Sequence, residues 1–475
     1  MSSVSALNSL LSGSNSSSAL DLSEILEAAT GASTPGIDVN AAVSAAVTAA
    51  EAPEQAWESQ QTTLQNQTSA LDSLQTDATD LDNDVQALNN LTGPLSAATV
   101  SSSNSGIVTG SAASGSTAGN NVVVVNSLAT AASYASGAVA SATTDLPAES
   151  ITITPAGGSA TTITTGSGVD TLTGLENAVN NAGLGVTASI ITDANGGQLA
   201  IVSNTTGSAG AFTVSSSGGS FGFTQAQAGS NASLTVNGIS ISSASNTVTG
   251  VIPGVTLTLQ SASPGTQVSL TVAPDTSQAS TAINQFVTDY NTLITAVNSQ
   301  FTYTSGSGQG VLAEDPTVQT LQSDLLGALD FTSTTGSGSS ETVTSLASMG
   351  ITVNSDGTLS VDSTTLNSAL QNNFSQVQNF FQGTALNGFA NSMDQQLTSF
   401  ISPADGAFTV DLQSISSENT SLQDDINNFQ TNTIDPLQKQ LQSEYSQAEI
   451  ALQQLPGELK DVDAELGMNN SSSGN

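Results

Sequence analysis

The chain has 475 residues, and its small charged fraction is one-sided: 39 Asp and Glu face only two cations, Lys439 and Lys460. With so few cations to neutralise phosphates, nucleic-acid binding and electrostatic attachment to an anionic membrane are excluded. The absence of Cys and His removes disulfides, thiolate nucleophiles, imidazole bases and the usual zinc sites together.

Residues 1–35, rich in Ser and Gly, read as a disordered extension with one short helix at 21–29. GIDVNAAVSAAVTAAEAPE (36–54) follows. Its uncharged run, Val39 to Ala50, is short of the ~20 residues of a membrane span. No Lys or Arg precedes it, so the basic region of a cleavable signal peptide is missing. Asp38 or Asn40 can cap a helix there, with Val39, Val43 and Val47 at i, i+4 and i+8, flanked by Ala42, Ala46 and Ala50. Pro53 is expected to end it. A stripe this narrow does not stabilise an isolated helix. The segment 36–56 is therefore expected to be disordered in the monomer and ordered in an assembly.

A heptad helix occupies 57–96, stopped by Gly93-Pro94. Trp57, Leu64, Leu71, Ala78 and Val85 recur every seven residues, and Leu74, Leu81 and Leu88 supply the second seam position. Gln60 and Gln67 interrupt the seam. From 97 to 274 the period becomes two, with Gly, Ser and Asn as punctuation. Strands are predicted at 122–125, 151–154, 161–165, 186–192, 198–203, 255–260 and 267–272. SLTVNGISIS (233–242) is a hairpin on an Asn-Gly turn. One helix, 170–182, interrupts the strands. This length accommodates two β subdomains, split near 140–230.

Helices and a hairpin fill 275–410. The first helix carries a wide apolar face, Ile283, Phe286, Val287, Tyr290, Leu293, Ile294, Val297 and Phe301. Others are predicted at 314–329, 363–382 and 386–401, the last with Leu386, Phe389, Met393, Leu397 and Phe400 inward. MGITVNSDGTLSVD (349–362) is a hairpin turning at Asp356-Gly357. A coiled coil over 411–466 continues the seam with Ile415, Leu422, Ile426 and Phe429, slips by four residues around Leu437, and resumes at Leu441, Tyr445, Ala448, Leu452, Leu455 and Leu459. Pro436 and Pro456 should break or kink it. The tail, 467–475, is expected to be disordered.

The predicted fold class is α+β: terminal coiled-coil or helical-bundle legs with an inserted all-β head. Asp80-Leu-Asp82-Asn-Asp84 imitates the start of a calcium loop, but Val85 and Leu91 stand where such a loop needs Gly and Glu. No catalytic, metal or cofactor residue is expected, and no enzymatic activity. With ordinary carboxyl pKa values of ~3.9 and ~4.3, about nine in ten Asp and Glu are protonated near pH 3. A chain almost without Lys and Arg then nears zero net charge instead of becoming polycationic. This composition suits an acidic exterior, and equally the acidic surface of an ordinary secreted protein.

Several segments resemble the family of flagellar filament-capping proteins, hook-associated protein 2. They are GIDVNAAVSAAVTAAEAPE and its heptad helix, 172–203, ASLTVNGISISSASNTVTGVIPGVTLTL (232–259), LASMGITVNSDGTLSVDSTTLNSAL (346–370) and EYSQAEIALQQLP (444–456). The resemblance implies a secreted, extracellular protein at the distal filament tip, exported by the type III apparatus and required for filament elongation and motility. It implies a ring-shaped homo-oligomer, a pentamer. Its other partners would be flagellin, the hook–filament junction proteins and an export chaperone, with no membrane insertion. Val39, Val43, Val47, Leu455 and Leu459 are then the expected filament or partner interface. Leu64, Leu71, Leu74, Leu81, Leu88, Leu422, Ile426, Phe429, Leu441 and Leu452 form the coiled-coil seam. The alternatives are flagellin or another axial component, and a surface adhesin using the β head for cell adhesion.

Overall fold

The computed structural model describes residues 38–218, 221–306, 308–333, 343–384 and 387–465. The expected extension 1–35 with its short helix, Leu386 and the tail 467–475 lie outside the described residues. In chain order the helices are α1 (Val39–Ala50), α2 (Ala52–Asn89), α3 (Leu172–Asn181), α4 (Thr276–Phe301) and α5 (Pro316–Ala328). They continue as α6 (Ser363–Asn372), α7 (Phe374–Gln382), α8 (Phe389–Ile401), α9 (Ala407–Phe429) and α10 (Asp435–Glu465), with a π turn, Gln430–Ile434, joining the last two. The chain forms two compact units. One is drawn from residues 1–79, 295–323 and 397–475, the other from 80–294 and 324–396.

In the first unit, α1 begins where Asp38 Oδ1 accepts from the Ala41 N–H at 3.1 Å. It ends at Glu51, whose N–H donates to Val47 O. α1 stops before Pro53 as expected, and Pro53 is then the second residue of α2, a first-turn position where no N–H is required. Leu64, Leu71, Leu74 and Ala78 are buried along one face of α2. Its N-terminal part lies alongside α9: Gln60 Nε2 donates to Glu418 Oε1 at 2.9 Å, and Gln61 Nε2 to Gln423 Oε1 at 3.3 Å. These exposed amide hydrogen bonds flank the apolar seam.

The second unit contains two β modules, each with its own core. The first pairs a five-stranded sheet, ordered 98–102, 268–274, 119–127, 232–236 and 239–243, with a three-stranded sheet, 247–252, 255–259 and 108–112. Val123, Val125, Leu234, Leu257 and Leu270 are buried in their shared core. In the predicted hairpin Val236 pairs with Ile239, and Asn237 (φ 51°) and Gly238 (φ 82°) make the left-handed turn. The second module is inserted between the strands at 119–127 and 232–236. Its sheets run 223–227, 131–136, 196–206, 186–193 and 161–164, 150–155, 212–216, and α3 covers them through Leu172, Leu175 and Val179. Thr171 caps α3 by accepting from the Gly174 N–H at 3.2 Å.

The helices of the second unit centre on aromatic rings. Phe389 lies 5.5 Å from Phe380, stacked, and edge-on at 5.6 Å from Phe286 and 5.8 Å from Phe381. Gln382 is buried and donates through Nε2 to Leu88 O at 3.2 Å and Asn90 O at 3.1 Å. It thereby satisfies carbonyls at the end of α2 that the helix cannot satisfy itself. Asn291 clamps the 351–361 hairpin, donating to Leu359 O at 2.8 Å and accepting from the Leu359 N–H at 2.6 Å.

Tyr290 is completely buried, yet its hydroxyl has no hydrogen-bond partner among the described residues, and burial pushes its pKa upward. An orphaned buried hydroxyl costs about 1–3 kcal/mol. Tyr290→Phe is therefore expected to raise the melting temperature by a few degrees. A drop of several degrees would show that the hydroxyl does form a bond.

Three expectations about helices are corrected. The single helix predicted over 363–382 is two, because Asn373 leaves helical geometry (φ −132°, ψ 31°) and serves as the C-cap of α6 and the N-cap of α7. The helix predicted from 386 begins, as described, at Phe389. Pro456 does not break the last helix. α10 runs through it to Glu465, along a stretch where residues 450–455 are all exposed and water can take a freed carbonyl. Pro436 is tolerated as the second residue of α10.

Candidate functional site

The chain ends meet in the first unit. Val43 and Val47 are buried against Ile434, ringed by Val39, Ala50, Phe429, Leu441 and Tyr445. Ala42 is buried beside them. Small side chains at 42 and 46 make α1 slender, which suits close helix packing. The segment 36–56 is expected to order only in an assembly; within this single chain its helix α1 packs against Ile434, Leu441 and Tyr445. The narrow valine stripe is covered by the chain's own π turn and α10.

The π turn is what presents Ile434. The sequence showed a slip near Leu437 but not its form. Phe429 and Ile434 are five residues apart, and Ile434 and Leu441 seven; a π turn absorbs the extra residue and returns both to one face. Ile434 was missed because the interval of five from Phe429 breaks the heptad series, although its interval of seven to Leu441 was visible. Trp57 and Glu54 complete the surroundings. The Trp57 ring meets Phe429 edge-on at 5.4 Å, and the largely buried Glu54 accepts from Gln430 Nε2.

The other expected interface residues lie elsewhere. Leu455 is 49% exposed and Leu452 44%, with Ile450 also exposed. Leu455 follows Tyr445 by about 15 Å of helix, so it is not brought to the valine cluster. Leu459 belongs to α10, but its side chain is outside the described residues. Among the seam positions, Leu64, Leu71, Leu74, Leu81, Leu88, Leu422 and Ile426 are buried, while Phe429 and Leu441 are half-buried. Leu452 departs from the expected seam because no described helix faces that turn of α10.

Each buried Val contributes only about 1.5–3 kcal/mol, so α1 is held lightly. No group of three or more acidic residues is placed to hold a metal ion among the described residues, and Asp80, Asp82 and Asp84 lie within α2 instead of a calcium loop. No described helix is long and apolar enough to cross a membrane.

Helical termini flank the β modules along the chain, and α10 leaves Ile450, Leu452 and Leu455 exposed. Models of the flagellar hook-associated protein 2 N-terminus and C-terminus match residues 35–132 and 229–456. The unmatched interval is nearly coextensive with the inserted second β module. B-type flagellar hook-associated protein 2 of Pseudomonas aeruginosa is 29% identical over 319 residues, covering 60% of this chain and 66% of that protein. The Salmonella typhimurium flagellar hook-associated protein 2 is 32% identical over 160 residues, 32% of this chain and 33% of its own length. The chain thus spans between about a third and two thirds of these relatives. The crystal structure of the flagellar cap protein FliD D1-D2-D3 domains from Escherichia coli is 30% identical with a TM-score of 0.57, covering 73% of this chain and 99% of that one. The chain belongs to the flagellar hook-associated protein 2 family.

Proposed function

We propose that this protein is a structural assembly factor that caps the distal end of the bacterial flagellar filament and promotes flagellin folding and insertion. Filament elongation and motility depend on it, and its place is extracellular, at the filament tip. The observation that carries this reading is the pair of family matches, in order, to the two parts of the chain that hold the terminal helices. It works as a ring-shaped homo-oligomer, taken as five copies, and meets flagellin, the hook–filament junction proteins and an export chaperone. Val39, Val43, Val47, Leu455 and Leu459 are the positions at which the helical ends meet these partners.

The exposed stripe gives a test that spares the fold. Leu452→Asp with Leu455→Asp changes side chains that are largely exposed, so helicity and melting temperature should stay as they were. In a bacterium lacking its own cap protein, this double substitution should restore filaments at less than a tenth of normal length and leave flagellin monomer in the medium. Filaments of full length would reject the reading.

A further inference from the structure

We propose that the helical layer of the second unit is closed by two shared-proton carboxyl pairs, Asp82 with Asp394 and Asp84 with Asp289, so that acidification tightens the packing of α2 against α8 and α4. Asp82 is 5% exposed. Its Oδ2 accepts from Gln86 Nε2 at 2.7 Å, while its Oδ1 is buried without any donor. The group within hydrogen-bonding reach is the Asp394 carboxyl. Asp84 repeats the arrangement: its Oδ2 is buried without a donor, and the Asp289 carboxyl is within reach. Gln285 donates to the Asp289 Oδ2 at 3.0 Å. Two ionised carboxylates offer only acceptors, so a proton on one is what turns each juxtaposition into a bond.

The surroundings leave the proton as the available donor. Residues 80–294 and 324–396 contain no Lys, Arg or His. Asp394 is the only ionisable residue of α8, and α4 adds only Asp289 and the neutral, buried Tyr290. α6 and α7 have none, and Asp80 of α2 contributes a further negative charge to Asp84. No triad of metal-ligating side chains occurs among the described residues. Burial first, and then the facing carboxyl, pushes Asp82 up to about 6 and Asp84 up to about 7. The first unit echoes this pattern: burial, with a contribution from nearby Asp411, raises Asp315.

The sign follows from linkage. Each pair retains in the folded state a proton that an unfolded Asp releases near its ordinary ~3.9. The stabilisation is complete below about pH 4 and is lost as pH rises through the folded values near 6 and 7. General charge repulsion in so acidic a chain has the same sign, so the diagnostic quantity is a difference in pH slope between two proteins.

The test measures thermal unfolding of the full chain at pH 4.5, 6.0 and 7.5, beside Asp82→Asn with Asp84→Asn, whose amides supply the missing donors at every pH. Between pH 4.5 and 7.5 the melting temperature of the unsubstituted protein should fall by at least about 5 °C more than that of the double Asn protein, which should melt higher at pH 7.5. Equal slopes would overturn the proposal. So would calcium chloride restoring the pH 4.5 melting temperature at pH 7.5, which would make these cation sites. If the double Asn protein fails to fold, Asp394→Asn with Asp289→Asn serves from the facing side. Proton release on unfolding the native chain at pH 5.5 provides an independent reading. About one extra proton per pair is expected relative to unfolding of the Asn-substituted chain, and none would reject the pairs.

Discussion

Replacing Val43 and Val47 together by Asp abolishes filament growth while residues 80–294 and 324–396 keep their fold. Both valines are buried against Ile434, beside α10, whose Lys439 is exposed to solvent. Leaving a buried charge uncompensated costs roughly 3–5 kcal/mol, and two such charges exceed what two valines contributed. Because α1 rests on its neighbours through a few small side chains, the outcome is detachment of α1, not global unfolding. Circular dichroism should lose about one short helix. Amide exchange over 39–50 should become fast while the aromatic core of the second unit stays protected. A cap-deficient bacterium given this double Asp chain should remain without filaments, whereas Val43→Ile should support them. Normal filaments from the double Asp chain would remove α1 from the mechanism.

Phe389→Ala is the substitution expected to damage the second unit most. The ring is 1% exposed and lies within 6.1 Å of the rings of Phe286, Phe331, Phe380 and Phe381. Only 4% of residues are aromatic, so this cluster concentrates much of the chain's large-ring packing. Truncating such a ring costs about 3–5 kcal/mol, a fall in melting temperature of roughly 10 °C for a body of this size. Val353→Ala, at a side chain 51% exposed, should stay within about 0.5 kcal/mol of the parent. A similar loss from both would mean that the ring cluster is not the keystone of the packing.

Much of this molecule is written in residue types and intervals. The heptad leucines from Leu64 to Leu88, the Asn237-Gly238 turn, the alternating strands around Val123, Ile151 and Leu270, and the broad apolar face of α4 follow from side-chain periodicity, which acts locally. The strands at 98–102, 131–136 and 223–227 were not legible. ATVSS, AASYAS and FTQAQ have weak propensity of their own and become strands because they pair with neighbours remote in sequence. The insertion of one β module into another was likewise open, since no interval along the chain says which strands close a common core.

The functional ends divide in the same way. Sequence alone determined the valine stripe of α1, the choice of Asp38 or Asn40 for its cap and the long apolar series of α10, because each depends on residues a few positions apart. Only the tertiary structure decided that the π turn aims Ile434 at that stripe, that Leu452 and Leu455 stay uncovered, and that Asp82 and Asp84 face other carboxyls. Those outcomes depend on which distant helix lies opposite, and burial is a property of the assembled neighbours, not of the residue.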